Sequence, residues 1–179
     1  IDNSVSAVNL WQEQQESMQK ELAEKKRRVL IEILFTLPVF ILAMGYHAGW
    51  VGISHASADF HTSGKVIFSL SAGLFILIQF ICTLIVLWSG RDFYIKGIPS
   101  LWHKSPNMDT LVALGTGVAF IVSFYYAIQF FRADFMLKNG ETEYALLLKH
   151  AVHYLYFESS AVIIALISLG KYLELKAKS

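Results

Sequence analysis

Four long apolar runs, separated by polar segments, dominate the pattern of hydrophobic and polar positions along the chain. They cover residues 29–50, 66–88, 107–131 and 154–173. Each run has the roughly 20 mostly apolar residues that a helix needs to cross the hydrocarbon core of a bilayer. A soluble domain of this size would interrupt its apolar runs every few residues. The pattern therefore predicts an all-α membrane protein with four transmembrane helices.

The composition is typical of a membrane protein and gives no indication of nucleic-acid binding, a disulfide or a Cys-x-x-Cys metal site. Hydrophobic residues make up 55% of the 179 residues, and only 16% are charged, against roughly 25% in soluble domains. The formal net charge of +1 gives no reason to expect a nucleic-acid partner. Cys82 is the only cysteine, so we expect a small buried thiol and neither a disulfide nor a Cys-x-x-Cys metal site. The first apolar run is too long for a signal peptide.

The distribution of Lys and Arg orients the four predicted helices, because cytoplasmic connections carry an excess of these residues. Eleven of the 15 precede residue 29, lie in the connection 89–105 or follow residue 170. The four that would lie on the outer side are Lys65, Arg132, Lys138 and Lys149. We therefore expect both termini in the cytoplasm, and the plasma (inner) membrane as the location.

Residues 1–28 and 89–105 mix basic, polar and apolar side chains. The first segment is rich in helix formers and is predicted to continue the first membrane helix into the cytoplasm as an amphipathic, basic segment. In the second, Gly90 weakens helical continuity. Its apolar residues alternate with basic ones, namely Arg91, Lys96 and Lys104. The pattern predicts a kinked amphipathic helix in the cytoplasmic interface, which is either a lipid-anchored connector or a positively charged platform for a soluble protein.

The third apolar run begins with Asn107, Met108 and Asp109. Asn107 is expected to cap the helix, and Asp109 to be favoured by the positive end of the helix dipole. Neither role explains Met108, whose soft thioether sulfur belongs to the ligand types that select Cu(I)-like ions. A single methionine more often fills space, so a ligand and a packing residue are both open at this point.

Three carboxylates lie within or at the ends of the apolar runs, where ionisable side chains are costly. Glu32 is interpreted as an interfacial carboxylate near Arg28 and not as a ligand. Glu158 and Glu174 are 16 residues apart, roughly 24 Å along a helix, so they cannot share one binding site. They suit an ion that is bound at one end of a helix and released at the other, or they are two interfacial carboxylates.

The most distinctive stretches are residues 107–116, NMDTLVALGT, and residues 156–179, YFESSAVIIALISLGKYLELKAKS. Together they resemble the copper-transporting branch of the heavy-metal P-type ATPases. Residues 90–109, GRDFYIKGIPSLWHKSPNMD, are similar to the kinked second helix and amphipathic platform of that family. The resemblance covers about residues 29–179.

The resemblance implies roles for four residues. Met108 and Glu174 match the methionine and the carboxylate of the cytoplasmic ion-uptake site, and Glu158 matches an acidic residue on the exit path. Gly90 matches the kink glycine of the platform helix. The family usually has two adjacent glycines at this kink, whereas this chain has Ser89 followed by Gly90.

The function that the resemblance implies is that of the membrane portion of an ATP-driven exporter, with Cu(I) or Ag(I) as the transported ion. Residues 174–179 would begin the link to an actuator domain. ATP and Mg would be bound by domains outside these 179 residues, since this stretch lacks the ATP-hydrolysing motifs of the family. A copper chaperone or the pump's own metal-binding domain would dock on the platform, at Gly90, Arg91, Lys96 and Lys104.

One further hypothesis concerns two histidines on the outer side. His150 and His153 are one helical turn apart and precede Glu158 closely, so they would help to receive released copper. Solvated loop histidines are the alternative.

Two other functions of the whole protein are also open, namely a pump of the same family for Zn, Cd or Co and a four-helix membrane subunit without ATPase activity.

Overall fold

The computed structural model of the protein describes the backbone of residues 2–48, 50–55, 58–60, 68–138 and 154–178. Within these ranges the chain forms five helices, α1 (Asp2–His47), α2 (Ala72–Ser89), α3 (Arg91–Trp102), α4 (Met108–Lys138) and α5 (Phe157–Lys178). It also forms three short strands, β1 (Val51–His55), β2 (Ala58–Phe60) and β3 (Phe68–Ser71).

Helix α1 is continuous over 46 residues, so the polar N-terminal segment and the first apolar run belong to one helix. Pro38 lies inside it and does not end it. Buried positions recur every three or four residues, as expected for one face of an α-helix packed on its neighbours. They are Val29, Glu32, Thr36, Val39 and Ala43. The opposite face exposes large apolar side chains, which suits contact with lipid.

The connection between α1 and α2 contains the three strands. Strand β1 pairs antiparallel with β2, with Ile53 opposite Phe60, and parallel with β3, with Val51 opposite Phe68. The resulting sheet has the order β2-β1-β3. It was not predicted, because residues 66–71 were assigned to the second apolar run. Helix α2 starts only at Ala72, since Ser71 has an extended backbone with φ −66° and ψ 140°.

Helix α2 ends at Ser89, and a turn at Gly90 leads directly into α3. The Gly90 backbone has φ −82° and ψ 14°, which other residues also adopt, so its conformation does not require glycine. The requirement is space, because a Cβ at this position would lie 2.5 Å from Cγ2 of Ile164 on α5. The bend predicted at Gly90 is thus present, and the close packing against α5 explains why a residue without a side chain occupies it.

Helix α3 packs along the start of α4. The hydroxyl of Tyr94 lies 2.6 Å from Oγ1 of Thr116, and Thr110 donates a hydrogen bond of 2.9 Å to the carbonyl oxygen of Gly97. A Cβ at Gly97 would lie 2.5 Å from the carbonyl oxygen of Asp109. Glycine at position 97 therefore allows the backbones of the two helices to approach closely. The outward face of α3 exposes apolar residues, namely Ile95, Ile98, Leu101 and Trp102.

Helix α5 is at the centre of the bundle and packs against α1, α2 and α4. One apolar cluster, near its start, includes Phe75, Phe130 and Phe157. A second cluster, nearer the platform helix α3, includes Val86, Phe93 and Ile164. The two clusters hold the helices together at both ends of the bundle.

Among the described residues, three helices are long and apolar enough to cross a membrane, namely α1, α2 and α4. This finding and the predominance of helix agree with the predicted helical membrane fold. Helix α5 does not meet the same criterion, because Glu158, Lys171 and Glu174 lie within its 22 residues. The short sheet is the departure from an all-α architecture.

Substitution of Gly97 by alanine should destabilise the protein by roughly 1–3 kcal/mol, the usual cost of overpacking. The added Cβ would meet the backbone of Asp109 and Thr110 at 2.5–2.9 Å, and backbone atoms cannot yield without displacing α4. Thermal unfolding of the purified protein in detergent measures the effect. Gly115→Ala is the control, because no heavy atom lies within 4 Å of a Cβ at that position. Equal unfolding temperatures for the two variants would contradict the proposed close approach.

Candidate functional site

The start of α4 is held by a side-chain cap. The Thr110 backbone N–H donates a hydrogen bond of 3.0 Å to Oδ1 of Asn107, which confirms the capping role predicted for this residue. The Asn107 amide also donates to Oγ of Ser100 on α3, at 3.2 Å. Met108 follows the cap, and its side chain is 57% exposed. The thioether is therefore accessible, and Met108 does not pack in the core.

Asp109 lies in the first turn of α4, as the predicted interaction with the helix dipole requires, and it also has a role that was not predicted. Its carboxylate forms an ion pair with Lys171 on α5, which joins the first turn of α4 to the later part of α5. The Asp109 side chain is only 15% exposed, and the Lys171 ammonium also lies 4.6 Å from the ring centre of Phe93. An interhelical ion pair between partly buried groups, and not a dipole interaction alone, is the main contact of Asp109.

Glu174 lies on α5 one turn beyond Lys171 and is largely exposed. Lys178 donates a hydrogen bond of 2.6 Å to its Oε1. This hydrogen bond and the charge of Lys178 lower the pKa of Glu174, so the carboxylate is ionised at neutral pH. Because Asp109 pairs with Lys171, the structure brings Met108 and Glu174 to the same end of the bundle. Both side chains are open to solvent there.

A cavity of about 120 Å³ lies at this end, between α1, α3, α4 and α5. It is lined by Lys25, Arg28, Val29, Glu32, Ser89, Gly90, Asp92, Phe93, Lys96, Asp109, Ser168 and Lys171. Glu32 is 1% exposed, and its Oε2 has no hydrogen-bond partner among the described residues. Glu32 therefore faces the interior of the bundle, in a cavity that Arg28 also lines, as expected. Arg28, its expected neighbour, forms an ion pair with Asp92 of α3.

A signal for the burial of Glu32 is present in the sequence. Glu32 lies three residues after Val29 and four before Thr36, on the face of α1 that contacts α5. The helical period alone predicts that Glu32 faces the interior of the bundle. The prediction instead followed the general tendency of carboxylates to be exposed, which does not hold for Glu32.

Glu158 lies at the opposite end of α5, in its first turn. It is 9% exposed, and its Oε2 has no hydrogen-bond partner among the described residues. Gln79 of α2 is 1% exposed, and its Oε1 also has no partner. Both residues line one small cavity of about 10 Å³, together with Ala43, Tyr46, His47, Phe75 and Leu155. Sequence reasoning identified Glu158 and missed Gln79.

The remaining candidate residues have separate positions. The three platform cations, Arg91, Lys96 and Lys104, are exposed, and the Arg91 guanidinium lies 5.8 Å from the ring centre of Trp88. Gly90 is buried, so it provides the bend of the platform and not its surface.

Cys82 is a free, half-buried thiol. His150 and His153 lie outside the described residues. Within the described parts of the chain, no group of three or more His, Cys, Asp or Glu residues could hold a metal ion.

Comparison with known proteins gives similar sequences among metal-transporting ATPases. The chain is 34% identical over 165 residues to a copper-transporting ATPase of Helicobacter pylori, a match to 88% of this chain and 19% of the relative. It is also 34% identical over 163 residues to a copper-exporting P-type ATPase of Legionella pneumophila, a match to 91% of this chain and 19% of the relative. The chain is homologous to a segment of the copper-transporting P-type ATPases.

A silver exporting P-type ATPase of Salmonella typhimurium is 31% identical over 160 residues, a match to 88% of this chain and 16% of the relative. The chain thus spans about a fifth of the length of the P-type ATPases that it matches. No protein-family model and no solved structure matches it. The three apolar helices and the homology to P-type ATPases agree in identifying a membrane protein.

Replacement of Asp109 by asparagine should lower the free energy of unfolding by roughly 1–3 kcal/mol, because the partly buried Lys171 ammonium loses its carboxylate partner. Glu174→Gln is the matched control, since its pair with Lys178 is exposed to solvent and should contribute little to stability. Chemical denaturation in detergent, followed by circular dichroism, compares the two. The double variant Asp109→Asn with Lys171→Met should recover part of the loss. Equal losses for Asp109→Asn and Glu174→Gln would show that the interhelical pair has no special role.

Proposed function

We propose that the chain is the membrane portion of an ATP-driven exporter of Cu(I) or Ag(I). In this proposal it provides the cytoplasmic ion-uptake site and part of the exit path. The observation that supports it most is the identity of 31–34% with copper- and silver-transporting ATPases over most of the chain. Hydrolysis of ATP, with Mg, would be carried out by parts of the pump outside these 179 residues.

The proposed uptake site consists of Met108 and Glu174. Both are accessible at the same end of the bundle, where the Asp109–Lys171 ion pair joins their helices. A thioether is a soft ligand that suits Cu(I), and a carboxylate adds a negative charge that attracts any cation. Two such ligands bind Cu(I) more weakly than a set of thiolates would, so the ion can pass on to a deeper site. Further ligands would come from helices outside this chain.

The proposed exit path passes Glu158. This carboxylate is buried at the far end of α5 from Glu174, in a cavity that borders α1 and α2. An ionisable side chain in this position is costly and is expected to have a functional reason. In the proposed topology all four long helices, α1, α2, α4 and α5, cross the plasma membrane. Both termini, Met108 and Glu174 are then cytoplasmic, and Glu158 is on the outer side.

The platform helix α3 is the proposed docking surface for a copper chaperone or for a metal-binding domain of the pump. Its exposed cations, Arg91, Lys96 and Lys104, lie on or just after a helix that packs along the start of α4, where Met108 lies. Its outward apolar side chains would lie in the lipid interface, where Trp102 is favoured. Such an arrangement would hold a negatively charged carrier next to the uptake site.

Loss of either proposed uptake ligand should weaken metal activation of the full-length pump. We expect Met108→Ala and Glu174→Gln each to raise the Cu(I) concentration for half-maximal ATPase activity roughly tenfold, the factor that corresponds to ~1.4 kcal/mol of binding. ATPase assays in reconstituted vesicles, with Cu(I) kept reduced, measure this change. Zn(II) should not activate the wild-type pump.

Matched controls are available on α1. Glu21→Gln removes a carboxylate that is paired with Lys25 as Glu174 is paired with Lys178, and Met18→Ala removes an accessible thioether. Both control variants should respond to Cu(I) as the wild type does. Full Cu(I) activation of Met108→Ala and Glu174→Gln would eliminate the proposed uptake site, and activation by Zn(II) in place of Cu(I) would indicate a divalent pump.

Charge reversal on the platform should slow metal delivery from a protein carrier. Replacement of Arg91, Lys96 and Lys104 by glutamate should reduce the delivery rate roughly tenfold at low ionic strength, and less at high salt, because steering by charge is screened. Stopped-flow transfer of Cu(I) from a loaded chaperone measures the rate. The control reverses three exposed cations on α1, Lys20, Lys26 and Arg27. Equal rates for the two triple variants would count against docking on α3.

A further inference from the structure

Gln79 is an amide buried in the apolar part of the bundle. It lies on α2, between Phe75 and Thr83 on the same buried face. Its side chain is among the largest that are fully buried, and its Oε1 accepts no hydrogen bond from the described residues. An apolar side chain of similar size would avoid the free-energy cost of an unpaired buried carbonyl oxygen. Packing alone therefore does not explain a glutamine at this position.

The second unpaired oxygen of this region belongs to Glu158. Glu158 and Gln79 line the same cavity of about 10 Å³, and residues of α1 line its third side. The amide of Gln79 does not donate to Oε2 of Glu158, although this would satisfy the carboxylate. Tyr46 and His47 also line this cavity, but neither donates to these two oxygens. Unpaired acceptor oxygens on two residues that line one cavity are suited to a bound cation or a water molecule.

The ligand types indicate which cation could leave such a site easily. A carboxylate and an amide carbonyl are hard oxygen ligands, which hold soft ions such as Cu(I) and Ag(I) weakly. An exporter needs weak binding at its outer end, since an ion held by strong ligands there would not be released. The negative charge of Glu158 still compensates for the lack of water around the ion.

We propose that Oε1 of Gln79 is a second ligand, beside Glu158, of a low-affinity outer site through which the transported ion leaves the pump. The inference rests on the proposed function, because it assumes that the cargo passes Glu158. Gln79 lowers the barrier for release by replacing one water of the departing ion. It takes no part in uptake, which occurs at the opposite end of the bundle.

The test uses the full-length pump and separates uptake from release. Phosphorylation by labelled ATP in the presence of Cu(I) reports uptake, and the decay of the phosphoenzyme in a chase without label reports release. Gln79→Leu should be phosphorylated to the wild-type level at the wild-type Cu(I) concentration. Its phosphoenzyme should decay about fivefold more slowly, as expected for the loss of one hydrogen-bond-sized interaction.

Thr83→Val is the matched control, because Thr83 is buried one turn from Gln79 on α2 and its hydroxyl donates to the carbonyl of Phe157 at 3.3 Å. It should leave both measurements unchanged. Gln79→Asn keeps the amide but shortens the side chain by one methylene group, so the oxygen no longer reaches the ion. The phosphoenzyme of this variant should decay as slowly as that of Gln79→Leu. Wild-type decay in both Gln79 variants would overturn the proposal and would indicate that the cavity holds a structural water.

A double variant tests whether Gln79 and Glu158 act on the same ion. If they share one site, Gln79→Leu should add little to the slow decay of Glu158→Gln, whereas independent roles would give multiplied effects and contradict the proposal. Failure of Cu(I) to stimulate phosphorylation of the wild type would instead refute the proposed function, and the outer site with it. Thermal unfolding of each variant checks folding, and Gln79→Leu should be at least as stable as the wild type.

Discussion

The ion pair between Asp109 and Lys171 determines the arrangement of the end of the bundle that carries the candidate uptake residues. It joins α4 to α5, which run antiparallel, as shown by the hydrogen bonds from Ser160 to Thr116 and from Tyr156 to Ser123. Helix α3 can fold back onto this pair only because Gly97 admits the backbone of Asp109. The positions of Met108 and Glu174 follow from these contacts, although neither residue takes part in them.

Most buried polar side chains among the described residues of the bundle form hydrogen bonds within the protein, as required where no water is available. Thr36 donates to the carbonyl of Ala161, Thr83 to that of Phe157, and Thr116 to that of Val112. These bonds stabilise contacts between helices or within one helix. Against this background the unpaired oxygens of Glu32, Gln79 and Glu158 are exceptions. They belong to residues that line cavities at the two ends of the bundle, where the proposed function has an ion enter and leave.

The proposed ligands change in character along the bundle. An accessible thioether and a carboxylate lie at one end, and a carboxylate and an amide, proposed as oxygen ligands, lie at the other. For a soft ion this order favours capture at the first end and release at the second. A hard divalent ion would meet its better ligands at the outer end and would be retained there. The homology to copper and silver exporters is consistent with the first case.

The amino-acid sequence by itself determined the helical membrane character, the cap at Asn107 and the bend at Gly90, and it singled out Met108, Glu158 and Glu174 as candidate residues. These depend on apolar periodicity and on local motifs, which are contained in short stretches of chain. Only the tertiary structure decided that β3 precedes α2, that Asp109 pairs with Lys171 and that Glu32 and Gln79 are buried with unpaired oxygens. Each of these depends on contacts between residues tens of positions apart. The free energy of such a contact depends on which helix faces meet, and that is decided when the whole bundle packs.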